Sequence, residues 1–177
     1  MATITERDEA AERLMHALRG TFDASVMNFG SYNILYAANR CAAAPEEIDD
    51  ADSSAQQRAA SARHLLVGYR RQPVELVLCP VDLREALPRA AAENDAEPVP
   101  SVPATVNLTN LAGLATDDEG VEITFSTGYR VGLRMCGSVV FEEMPQARIE
   151  QRWDVEDFYE FIDFFMDTVE AQTGEQS

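Results

Sequence analysis

Lysine is absent from this chain: its fourteen positive side chains are all arginine, set against thirty-one aspartates and glutamates. The resulting charge of −17 repels phosphate backbones, because nucleic-acid affinity comes from Lys and Arg displacing counterions. Nucleic acid is therefore not an expected partner. Missing lysine together with abundant alanine reads as GC-rich coding, with an acidic halophilic surface as the alternative. Cysteine is also scarce. Cys41, Cys79 and Cys136 show no C-x-x-C spacing, which excludes a disulfide framework and a structural zinc site and leaves them as small buried thiols. No apolar run approaches the roughly 20 residues that span a bilayer. The start MATITERDEAAERL lacks the basic and apolar regions of a secretory leader, so a cytoplasmic location is expected and the Asn107-Leu108-Thr109 sequon is idle.

Catalytic signatures are missing too. There is no glycine-rich phosphate loop and no G-x-S-x-G elbow, and Asp117-Asp118-Glu119-Gly120 lacks the alternate spacing of a calcium loop. The two histidines, His16 and His64, read as ordinary side chains, because only a coincidence of tertiary structure would bring either to a cysteine. No catalytic residue, metal site or cofactor is expected, and an enzyme is the less favoured class.

What is present is an ordinary core. Apolar residues are 46% of the 177 and charged residues 25%, as in a single globular domain, 1–177. Apolar spacing after Thr5 predicts a first helix that Gly20 can end. The second half of VMNFGSYNILYAANR (26–40) reads as a strand. Residues 41–62, rich in Ala, Asp and Ser, read as a flexible insertion or a solvated helix outside the core. HLLVGY and VELVLCPVD form a hairpin around Arg70–Pro73, and Asp82 caps a helix over LREALPRAAAEN that Pro88 can kink. A proline-rich connector follows at 93–104. Strands are expected at 105–116, 120–126, 129–135 and 138–144 as a meander with short Gly-bearing turns. A helix capped by Asp154 should run to about Ala171, leaving 172–177 as a disordered tail. The order predicts an α+β fold, an antiparallel sheet with N-terminal, central and C-terminal helices packed on it.

The last helix carries FYEFIDFF (158–165). On a wheel at about 100° per residue, Phe158, Phe161, Ile162, Phe165 and Val169 form one apolar stripe, opposed by Glu156, Glu160, Asp163 and Asp167. Phe164 falls near 240°, outside the stripe and beside Asp157 and Glu160. It is the leading candidate contact for a second subunit or another protein, with Phe161 and Tyr159 beside it, while a singly exposed aromatic is also ordinary on a surface. A second candidate lies on YRVGLRM, where Arg130 and Arg134 flank Gly132 on one strand face and could grip an anion. Pairing of these arginines with Glu122 and Glu142 on neighbouring strands is the competing expectation, and it is favoured.

The element order, and the ending GSVVFEEMPQARIEQRWDVEDFYEFIDFFMDTVEAQ, resemble YbjN-type proteins, a bacterial family linked to sensory transduction that shares the type III secretion chaperone-like fold. The likeness covers about the last forty residues by pattern and the rest by element order. The insertion, the connector and the absence of an Asn-rich helix depart from it. The resemblance implies a non-enzymatic, dimeric, partner-binding role and transfers no functional residue. Two functions follow as expectations: a chaperone-like regulatory protein that binds itself or another protein, or a small-ligand or anion-binding domain, at most a weak enzyme, built on Arg130 and Arg134.

Overall fold

The computed structural model describes residues 4–27, 31–42, 54–91 and 97–175. The chain is an α+β fold whose antiparallel seven-stranded sheet runs in the order β4-β3-β2-β1-β7-β6-β5. In chain order the elements are α1 (Ile4–Ser25), β1 (Asn33–Asn39), α2 (Ala55–Ser61), β2 (His64–Arg71), β3 (Val74–Pro80) and α3 (Leu83–Ala91), then β4 (Ala104–Val106), β5 (Leu111–Asp117), β6 (Gly120–Phe125), β7 (Arg130–Arg134), β8 (Ser138–Val140), β9 (Arg148–Glu150) and α4 (Arg152–Glu175).

Alternation along the strands sorts the core into two layers. Leu35, Leu65, Val67, Leu76 and Leu78 face the layer of α2 and α4, while Ile34, Tyr36, Leu66, Val77 and Cys79 face α1, α3 and the separate β8–β9 hairpin. Both faces of β3 are covered, as its unbroken apolar run predicts. Gly68 of β2 is required on the α1 side, where a Cβ would lie 2.3 Å from the Phe22 ring. Asp82 caps α3 by accepting from the Arg84 amide at 2.9 Å.

The segment 105–116 is not one strand. Its first residues close β4 at one margin of the sheet, and Leu111 opens β5 at the other. Val106 and Leu111 are five steps apart, at most about 18 Å of extended chain, whereas six strand spacings in a flat sheet come to about 29 Å. The sheet must therefore curl until its margins approach, and it curls around α4. Asn107 and Asn110 hold the short link: the Asn107 amide donates to Asn110 Oδ1 at 2.9 Å, and Asn110 Nδ2 to the Thr105 carbonyl at 2.7 Å.

Other expectations are also corrected. β8 leaves the meander to pair with β9, so Glu142 is not opposite Arg134. α1 continues through Gly20, where a Cβ would crowd Pro98 Cγ at 2.9 Å. Within 41–62, residues 43–53 lie outside the described ones, but α2 is ordered helix and Ala59 is fully buried, so this part belongs to the core after all. Of the expected connector, 93–96 lie outside the described residues and Ala104 is already strand. α4 starts at Arg152 and reaches Glu175, which makes most of the expected tail helical. Of the cysteines, only Cys79 is buried, its thiol pushed up to about 11 by burial; Cys41 and Cys136 are exposed.

The two halves of the sheet meet at a thin joint. β1 pairs with β2 along its length but reaches β7 only through Ala38↔Arg134 and Asn39↔Leu133. Two buried amides fill what the ladder leaves open. Asn39 Oδ1 accepts from the Gly132 and Cys41 amides, both at 3.0 Å, and its Nδ2 donates to the carbonyls of Ala59, Ala60 and Ala62. Gln151 Oε1 accepts from the Tyr36 amide at 2.9 Å, and its Nε2 donates to the carbonyls of Tyr36 and Cys136. Asn39→Ala should lower the unfolding free energy by about 3 kcal/mol, since each buried group left unsatisfied costs about 1–3 kcal/mol. Urea denaturation checks this; an unchanged midpoint would mean the half-sheets hold without the amide.

Candidate functional site

α4 presents two faces of opposite character. Phe158, Phe161, Ile162 and Phe165 are buried against the sheet, as the apolar stripe predicts, and Val169 is half-buried. Tyr69 of β2 meets both the Phe158 and Phe161 rings, at 5.2 and 4.9 Å between centroids, and those two rings stack on each other at 6.1 Å. Each buried aromatic contributes roughly 2–3 kcal/mol of transfer free energy. The rotation of the helix is then fixed by Asp157. Its carboxylate accepts from the Tyr69 hydroxyl at 2.7 Å and pairs with Arg71 at 3.1 Å. Burial pushes the Asp157 carboxyl up, but the Tyr69 and Arg71 bonds outweigh it and hold the group below the usual carboxylate range.

The outer face carries Glu156, Glu160, Asp163, Asp167 and Glu170, all exposed. Phe164 is among them at 40% exposure. Phe161 is corrected as a contact residue: it is 0% exposed and belongs wholly to the core beneath Tyr69 and Arg71. Tyr159 is half-buried against the same core, and desolvation raises its pKa. The residue that joins Phe164 outside is Trp153, the only tryptophan, 69% exposed. It precedes Phe164 by eleven positions, which places it within about 20° of Phe164 around the axis and about 16 Å away along it. Reading the helix from Asp154 left Trp153 outside; the signal was its equivalent wheel angle.

The sheet-face arginines are placed as the alternation predicts, with Val131 and Leu133 buried and Arg130 and Arg134 exposed. Arg130 forms an ion pair with Glu122. The space above Gly132 is filled: a Cβ there would lie 2.5 Å from Arg40 Cγ and 2.8 Å from Cys41 Sγ. Arg40 itself bridges Asp117 at 3.1 Å and Glu119 at 3.0 Å. Arg134 has no ion pair among the described residues, and the expected Glu142 partner is in a turn elsewhere. The two arginines therefore do not converge on an open anion site.

A third feature was not anticipated. His16 is an exposed residue of α1, but His64, at the start of β2, lines an open cleft of about 850 Å³ bounded by α2, the end of β3, the start of α3 and residues 99–102. Its Nδ1 lies 2.6 Å from the Tyr36 hydroxyl, and the ring meets Phe141 edge-on. The lining comes from five separate segments, so no local pattern announces it. Among the described residues no group of three or more His, Cys, Asp or Glu could hold a metal ion, and no helix is long and apolar enough to cross a membrane.

Compared with known proteins, the chain matches no family model, no curated protein and no solved structure.

The anchoring of α4 generates a pH dependence. A carboxyl whose pKa is lower folded than unfolded adds stability that is complete above its unfolded value of about 4 and is lost as pH falls through the folded value. Asp157→Asn should thus be destabilised at neutral pH, its urea midpoint converging on that of the wild type between about pH 5 and pH 2. Parallel curves over that range would remove Asp157 from the docking of α4.

Proposed function

We propose that the protein is a non-enzymatic interaction protein of the cytoplasm, chaperone-like or regulatory, that docks a basic, partly apolar segment of another protein on the outer face of α4. The observation that carries this reading is the alignment of Trp153 and Phe164 on a helix side whose other exposed residues are mostly carboxylates. Exposed aromatics within a polar rim are the usual anchors of interfaces. α4 holds eight carboxylates and one arginine, and among the described side chains Asp157 is the one of them paired with an arginine. The complement of that surface is cationic.

The same charge count weighs against self-association through this face. A two-fold dimer would set one acidic helix against its copy, in a chain already at −17. A heterologous partner avoids that repulsion, and the partner-binding role implied by the resemblance to YbjN-type proteins agrees with it. The reading built on Arg130 and Arg134 has less support, because the Glu122 carboxylate and the Arg40 stem occupy the ground between them.

Trp153 is a built-in reporter. An amphipathic Arg/Leu peptide should blue-shift its emission saturably, and a Glu/Leu peptide of the same length should not. Phe164→Asp should weaken binding about tenfold or more, the loss expected of a central aromatic anchor. Because that substitution adds negative charge, purely electrostatic attraction predicts the opposite sign. Tighter or unchanged binding would refute the aromatic anchor. Sedimentation equilibrium showing a wild-type dimer and a folded Phe164→Asp monomer would instead make the partner a second copy.

A further inference from the structure

We infer that the cleft beside His64 binds a small monoanion with an apolar body, of the acyl or aryl carboxylate class, with its carboxylate met by Arg63 and His64. The cleft's volume of about 850 Å³ lies in the range of small-molecule sites, which are mostly apolar with a few convergent polar groups. Its apolar wall includes Val99 and Val102, which stay 59% and 42% exposed although they line a concavity. Pro80, Pro100 and Leu83 extend that wall.

The polar end is built from β2 and the residue before it. Arg63 is exposed at the cleft and forms no ion pair among the described residues. Among the described residues the Tyr36 hydroxyl has no partner other than His64 Nδ1, and its proton is satisfied there when it donates to that nitrogen. The remaining imidazole proton is then on Nε2. Arg63 and His64 both line the cleft, and an Nε2–H donor together with a guanidinium suits one carboxylate.

The acids around the cleft set the ligand's charge. Asp82 pairs with Arg84 at 3.3 Å and Glu85 with Arg89 at 2.7 Å, which leaves Glu143 as the carboxylate that would oppose a dianion. A single negative charge on an apolar body meets all three constraints: the valine wall, the Arg63–His64 end and Glu143.

Binding should report on His64. In the free protein desolvation, then Arg63, lower its pKa, with Glu143 and Asp82 acting the other way. A bound carboxylate stabilises the imidazolium, so the His64 pKa should rise on saturation, and by linkage affinity should increase as pH falls through that range. The experiment is a titration of the full chain with phenylacetate, followed by imidazole and amide NMR shifts. The expected result is saturable shifts confined to the cleft, an upward His64 titration, and about tenfold weaker binding in Arg63→Ala, with Arg134→Ala binding like the wild type. Phenylacetamide, which keeps the apolar body without the charge, should bind about tenfold or more weakly. Three results would overturn the inference: no saturable shift by about 10 mM, equal binding of the amide, or equal weakening by both arginine substitutions.

Discussion

The sheet depends on a side-chain amide standing in for backbone. β1 must join a four-stranded half, β4-β3-β2-β1, to a three-stranded half, β7-β6-β5, yet only its last two residues reach β7. Asn39 makes five hydrogen bonds at that point, to β7, to the residue-41 amide and to the carbonyls of α2. No apolar residue of that size could satisfy both donors and acceptors there. Gln151 does the same further along the strand, tying β1 to the chain just before α4. α4 packs on β1 and β2 at this joint, and its apolar stripe shares one core with strands of both halves.

How the positive charge is used follows from residue type. A guanidinium can meet two acceptors at once, and the arginines here do so repeatedly. Arg40 spans Asp117 and Glu119, Arg71 lies over the Phe161 ring while pairing with Asp157, and Arg89 holds both Glu85 and the Thr21 hydroxyl. An ammonium would bring charge to these places without the planar fork. The acidic excess is left on the outside, most densely along α4.

Most elements were legible in the sequence because they obey local periodicity: α1, the β2–β3 hairpin, the Asp82 cap, β6, β7 and the apolar stripe of α4. What failed was nonlocal. TVNLTNLAGLAT has strand composition throughout, and only the Asn107 and Asn110 side chains mark the place where it crosses from one margin to the other. SVVFEEM has the composition and preceding turn of a meander strand, but only Ser138–Val140 is strand, and its partner is β9, equally short and without a pattern to announce it. The alanines of α2 look solvated by composition, yet Ala59 is buried because Asn39 draws the helix inward. Phe164 was visible on the wheel, whereas the cleft was not, since its lining is assembled from distant segments.

The link at 107–110 has a consequence for how the molecule is made. β1 to β3 and β5 to β7 each pair with near neighbours in sequence, whereas the β1–β7 joint brings together residues from opposite ends of the chain. Local pairings form ahead of distant ones because closing a long loop costs more entropy. Each half-sheet can thus assemble on its own, tethered to the other by four residues, and the closure of the sheet around α4 is a late, collective step rather than the growth of a continuous meander.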